Sequence, residues 1–268
     1  MFRAIFAIFW RDLLSATSYR LGFVLQFVAP LFMIISFFFL SKLLGQARLP
    51  GLDRYGGDYF SFALVGMVFA TYTGIFLSAV VTTIRQGQAN GTLEIILTTR
   101  TSLATYLVGS SLYALLQSAI LLTVFIALGV GVLGARFPGG NFLVGGLILL
   151  LSMAVMLGLG IISGSIVLVY KQGDPLSLVV NSGAFLLSGV VYPISVLPGW
   201  LQSGSWLLPH TYALESLRLT LLQGASLAQV AWPLSILALF AAGLLPLGWL
   251  LFRRAVRRAR TEGSFAYY

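Results

Sequence analysis

Long apolar runs separated by short polar breaks dominate the chain. With every Asp, Glu, Lys and Arg taken as a divider, six uncharged stretches reach the roughly 20 residues a helix needs to cross hydrocarbon: 21–41, 59–84, 101–135, 137–170, 175–214 and 219–252. The third, fourth and sixth exceed one perpendicular span, so their helices tilt or extend beyond the hydrocarbon. The fifth is too long for one helix and too interrupted for two. Pro193, Pro198 and Pro209, with Gly189, Gly199 and Gly204, fall in its second half. Proline removes a backbone donor, and non-helical backbone at membrane depth persists only where protein or a wet cavity surrounds it. The pattern predicts a crossing helix over 175–192, followed by a broken, partly re-entrant hairpin over 193–218 that returns to the same face. Pro30 is a kink site in the first span.

Ahead of that span, Phe2, Ile5, Phe6, Phe9 and Leu13 recur at helical spacing, while Arg3, Arg11, Asp12, Ser15 and Ser18 fall mostly elsewhere on the wheel. Residues 1–20 are therefore expected to form a helix lying in the membrane interface; the alternative is a plain extension of the first crossing helix. Arg3, Arg11 and Arg20 before an apolar run superficially resemble a signal peptide. The run is too long and no small-residue cleavage pattern follows, so a retained helix is expected. In the fourth stretch Gly158, Gly160 and Gly164 leave smooth backbone for close helix packing.

Composition confirms the class. Of 268 residues, 59% are hydrophobic and only 9% charged, where a soluble domain carries about 25% charged residues. The expectation is an all-α integral membrane protein of six transmembrane helices, forming a single domain over 1–268. The net charge of +9 does not point to nucleic acid, because the basic residues flank apolar runs and form no stripe. Arg3, Arg11, Arg20, Arg85, Arg100, Lys171, Arg253, Arg254, Arg257, Arg258 and Arg260 fall on one face, 11 of the 16 basic residues. Lys42, Arg48, Arg54, Arg136 and Arg218 fall on the other. The excess assigns the first face, with both termini and the basic tail 253–268, to the cytoplasm.

Chemistry is sparse. The crossing stretches hold no ionisable carboxylate, which argues against proton- or sodium-coupled transport through buried acids. There is no cysteine, and a lone histidine, His210, cannot build a multi-His metal site; a structural hydrogen bond is its expected role. No GxxxxGK[ST] loop occurs, so no catalytic or nucleotide-binding residue is assigned, and any ATP chemistry must reside in another polypeptide.

Two segments remain. In 85–100, Asn90 or Thr92 can cap a short helix whose Leu93, Ile96 and Leu97 share one face, with Glu94 near its N-terminus; such a helix is a docking element, or else an ordinary connecting loop. In 188–224, Tyr192, Trp200, Trp206 and Tyr212 suit the outer interface, and Glu215 and Arg218, one turn apart in a helix, can pair. The alternative is an interfacial hairpin with anchors and no gate.

These two segments, NGTLEIILTTRTS and SGVVYPISVLPGWLQ followed by LPHTYALESLR, resemble the membrane (permease) subunit of an ABC transporter, specifically the type-2 exporter permease family. The similarity of layout covers nearly the whole chain. It implies a pathway formed by two permease subunits, identical or homologous, a separate pair of ATPase subunits that bind ATP and magnesium, and outward transport. By position, the coupling helix would be 86–98, with Gln86, Gly87, Asn90, Gly91, Thr92, Leu93, Glu94, Ile96 and Leu97 at the ATPase. The extracellular re-entrant element and outer gate would be 192–218, with Tyr192, Pro193, Pro198, Trp200, Leu201, Pro209, His210, Tyr212, Glu215 and Arg218. Where the family often has an acidic residue before its Gly-Thr-Leu-Glu core, this chain has Gln88, Ala89 and Asn90. Uncharged spans rich in Phe, Leu and Tyr point to a lipid, glycolipid, polysaccharide or amphipathic drug as cargo. A channel or secondary carrier needing no ATPase is the alternative, and a lipid-modifying enzyme would have only His210, Glu215 and Arg218 to work with.

Overall fold

A computed structural model describes residues 2–45, 50–92, 102–170 and 174–262. Helices account for nearly all of it: α1 (Phe2–Ser18), α2 (Arg20–Leu44), α3 (Tyr59–Ala89), α4 (Leu103–Gly131), α5 (Phe142–Tyr170), α6 (Pro175–Leu187), α7 (Gly199–Ser205), α8 (Pro209–Leu222) and α9 (Ala231–Glu262). Short 3-10 turns lie at Asp53–Tyr55 and Ile194–Val196. Among the described residues, five helices are long and apolar enough to cross a membrane: α2, α3, α4, α5 and α9.

The fifth uncharged stretch departs from expectation in its boundary. Its helix α6 stops at Leu187 rather than Tyr192, and 13 residues rise only about 20 Å. The reason is local. Gly189 takes φ +70°, and the carbonyls of Gly189 and Val190 both accept from Arg218, which removes them from a helical ladder. The last stretch also differs: α8 runs through its start to Leu222, and α9 begins only at Ala231.

α1 and α2 are separate helices, divided by Tyr19 at φ −93°, ψ 66°. α1 lies against α4, where Ile8 packs over Gly109 and the Arg11 guanidinium sits 5.3 Å from the Tyr106 ring centre. α2 passes through Pro30 without interruption and buries little beyond Ile34.

The centre of the bundle is α3. Asp58 caps it by accepting from Ser61 N–H, and the helix then runs 31 residues, about 46 Å, to Asn90. α5 packs on it through the glycines that the sequence singles out. A Cβ at Gly160 would stand 2.7 Å from the Leu77 carbonyl oxygen, so only hydrogen permits this approach. Gly158 does the same toward Leu244 of α9. Three apolar clusters result. The main one joins α3, α5, α8 and α9; a second joins α2, α3 and α4 toward the Asp58 end; the third gathers Ile84, Tyr106, Leu168 and Phe252 toward the Ala89 end.

Candidate functional site at the two ends of the central helix

The hairpin after α6 is built onto the Asp58 end of α3. α8 begins beside the interior of α3, where His210 meets the Phe69 ring edge-on at 6.3 Å, about 15 Å along α3 from Tyr59. It ends near the loop before α5, where Asn141 N–H donates to the Thr220 carbonyl at 3.1 Å. α8 therefore climbs from within the bundle to its Asp58 end. Pro209 opens it at the first helical position, where a missing N–H costs nothing, and Thr211 donates to the Ser205 carbonyl across the turn from α7. Pro193 and Pro198 stand one position earlier, as the extended N-caps of the 3-10 turn and α7.

At its centre is Arg218, 2% exposed. Nη1 donates to the Gly189 carbonyl at 2.7 Å; Nη2 donates to the Val190 carbonyl at 2.7 Å and the Phe62 carbonyl at 3.2 Å. The guanidinium carbon stands 3.4 Å above the Phe62 ring centre, a stacked cation–π contact. One side chain thus ties α8, the broken end of α6 and the first turn of α3. Gly66 is part of the fit, since a Cβ there would lie 1.8 Å from the Val190 carbonyl oxygen and 2.6 Å from Arg218 Nη2.

Two sequence-based expectations are corrected. Arg218 does not pair with Glu215: its guanidinium donates to carbonyls, while Glu215 turns to the loop after α2. There Arg54 Nη2 lies 3.1 Å from Oε1, and the Tyr55 hydroxyl donates to Oε2. Burial first, and the Glu215 carboxylate second, push the Tyr55 phenol above its ordinary value, so it remains a donor. His210 is the second correction. It is 3% exposed, and neither ring nitrogen has a hydrogen-bond partner among the described residues. It lines a cavity of about 260 Å³ with Thr73, Asn181 and Ser188, between α2, α3, α6 and α8.

The aromatic positions divide. The Tyr192 hydroxyl donates back to the Leu186 carbonyl and pins the turn after α6. Tyr212 packs on Trp206 at 5.4 Å, whereas Trp200 is 75% exposed and Leu201 half-buried beside it. Arg54, Tyr55 and Gly66, which hold the hairpin, escaped the reading of the sequence. Only the presence of Arg and Tyr in a short inter-span loop hinted at the first two.

The other end of α3 carries the second segment. Gln86 and Gly87 lie in its last turn, Asn90 is its C-terminal cap, and Gly91 follows at φ +64°, the left-handed conformation that ends helices. Thr92 Oγ1 lies 3.5 Å from the Gly87 carbonyl. Leu93, Glu94, Ile96 and Leu97 lie outside the described residues. α3 therefore runs unbroken from the hairpin lock to the threshold of this segment.

No cluster of metal-ligating side chains occurs among the described residues. The family model of the ABC-2 type transporter matches residues 3–222. Relatives named "Probable multidrug ABC transporter permease YbhR", from Escherichia coli strain K12 and from Escherichia coli O157:H7, are each 24% identical over 197 residues, covering 72% of this chain and 52% of theirs. The chain spans about half the length of these curated relatives. The family match takes in α1 to α8, both segments singled out in the sequence included, and the chain accordingly belongs to the ABC-2 type transporter family as a multi-pass membrane permease.

Proposed function

We propose that this chain forms, with a second identical or homologous permease, the translocation pathway of an ATP-driven exporter, and that the segment after α3 docks into a separate ATPase subunit that binds ATP and magnesium. The carrying observation is the continuity of α3. One 31-residue helix is held at its Asp58 end by Arg218 and the hairpin, and at its other end leads directly into residues 93–97. A helix packed on several neighbours moves as a rigid body, so force applied at the segment reaches the hairpin without local bending.

In this reading both termini and the Ala89 end of α3 face the cytoplasm, α6 with the hairpin completes a sixth crossing, and α7 with α8 re-enters from outside. Burial of Arg218 suits that depth, because its donors satisfy carbonyls that have no water to turn to. α1, with Phe2 and Phe6 exposed, lies in the cytoplasmic interface. The cargo is a lipid, glycolipid, polysaccharide or amphipathic drug; the word "multidrug" in the name of the E. coli relatives agrees with the last of these.

The test is co-purification with an ABC ATPase and ATP hydrolysis in nanodiscs, comparing the chain with its Leu93→Asp, Ile96→Asp variant. Binding that the double change abolishes, with the fold intact, supports the reading. An ATPase that fails to bind the unaltered, folded chain overturns it.

A further inference from the structure

A cavity of about 420 Å³ lies away from the hairpin, where α1, α2, α3 and α4 meet toward the Ala89 end of α3. Its size is that of a small-ligand site. Every wall supplies polar groups: Asp12 and Ser15 from α1, Gln26 from α2, Thr82 and Gln86 from α3, and Ser110, Tyr113 and Gln117 from α4. Such a density of hydroxyls and amides is unusual among helices apolar enough to cross a membrane, since each polar group facing hydrocarbon is costly.

Three features define what the cavity takes. Ser110 lines the cavity at 5% exposure, and its buried hydroxyl has no hydrogen-bond partner among the described residues, so its bonding capacity is unspent. Among the described residues no Arg, Lys or His lines the cavity, so a phosphate would meet no counter-charge from them. The one carboxylate, Asp12, is paired with its neighbour Arg11, whose Nη2 stands 2.7 Å from Oδ1. The other polar groups of the lining are uncharged hydroxyls and amides, with Gln117 Nε2 donating to Gln26 Oε1 at 2.6 Å across the space between α4 and α2.

We infer that this cavity binds an uncharged, polyhydroxylated headgroup, the chemistry of a sugar. The inference rests on the permease reading for its meaning and narrows the cargo to glycosylated amphiphiles taken from the cytoplasmic leaflet. It also places the ligand in contact with Thr82 and Gln86, within the last three turns of α3 before the ATPase-docking segment, where occupancy is felt directly by the coupling end.

The test uses the full chain in nanodiscs of phosphatidylglycerol containing a minor fraction of monoglucosyl diacylglycerol, with retained lipid identified by native mass spectrometry. Nanodiscs carrying diacylglycerol instead remove the sugar alone, and methyl glucoside as competitor separates a lipid-borne headgroup from a free sugar. Glucosyl lipid is retained over diacylglycerol by roughly tenfold, the weight of one or two net hydrogen bonds. Ser110→Ala and Tyr113→Phe each delete one oxygen, leave the fold and melting temperature unchanged, and reduce retention several-fold. Displacement by methyl glucoside at low concentration assigns the site to free saccharide; resistance assigns it to glycolipid. Equal retention of diacylglycerol, preference for phosphatidylglycerol, or variants that retain lipid as the unaltered chain does would overturn the inference. The assay uses neither ATPase nor transport, so its failure leaves the permease reading intact, and loss of ATPase docking leaves this result intact.

Discussion

The two polar regions of this protein solve the same problem in opposite ways. At the hairpin, a buried network is closed by direct contacts: Arg218 spends two nitrogens on three carbonyls, and Glu215 is held by Arg54 and Tyr55, while His210, Ser188 and Thr220 beside it keep side-chain atoms without a partner among the described residues. Around the cavity of α1 to α4, polar side chains from four helices face a shared open space, and only Gln26 and Gln117 bond across it among the described residues. A satisfied network fixes one geometry, whereas an unsatisfied one costs stability and persists where something else completes it. The difference is between polar groups closed on one another at Arg218 and polar groups turned toward open space at the cavity, and α3 touches both.

Breaking the lock has the largest expected effect. Arg218→Leu strands the carbonyls of Phe62, Gly189 and Val190 and costs on the order of 4 kcal/mol; a steep fall in melting temperature in nanodiscs is expected, and an unchanged midpoint would show that the hairpin does not depend on this residue. Gly66→Ala costs about 3 kcal/mol, because the clash is with backbone and nothing flexible can yield. Its signature is protease cutting within residues 188–208 while the long helices stay protected.

Smaller effects sharpen the comparison. Tyr55 holds a raised phenol pKa, so its contribution is complete below the ordinary value of about 10 and is lost as pH rises beyond it. The melting temperature should be flat from neutral pH to near that value and then fall, with a shallower fall in Tyr55→Phe. Glu215→Gln, which weakens the pair with solvent-exposed Arg54, costs at most about 1 kcal/mol, and less in high salt. Ser110→Ala completes the series: removing an unpaired hydroxyl leaves the melting temperature unchanged within about 0.5 kcal/mol, the opposite of what any change at Arg218 does.

Much of the architecture was legible in the sequence because lipid imposes a length rule. α2, α3, α4 and α5 fall within the uncharged stretches or overrun them by a few residues, α9 continues past its stretch into the basic tail, and the glycines of α5 meet the neighbours their smoothness invites. Pro193, Pro198 and Pro209 marked a broken segment, and broken it is. The site was less legible. Glu215 and Arg218, three residues apart, invite pairing by spacing alone, yet each is claimed by residues more than two dozen positions away. His210 invited a hydrogen bond and makes none among the described residues.

The sequence by itself determined the class, the number and rough extent of the apolar stretches, and the places where helices must stop, because those follow from local composition and the chemistry of Pro and Gly. Only the tertiary structure decided which faces meet and which polar groups are satisfied. Helices such as α4 and α5 are apolar on every side, so no periodic stripe announces a buried face. The partners of Arg218 are backbone carbonyls, which every residue carries and no sequence pattern distinguishes. The cavity of α1 to α4 is likewise assembled from single Ser, Thr and Gln residues that mean nothing until four helices bring them to one place.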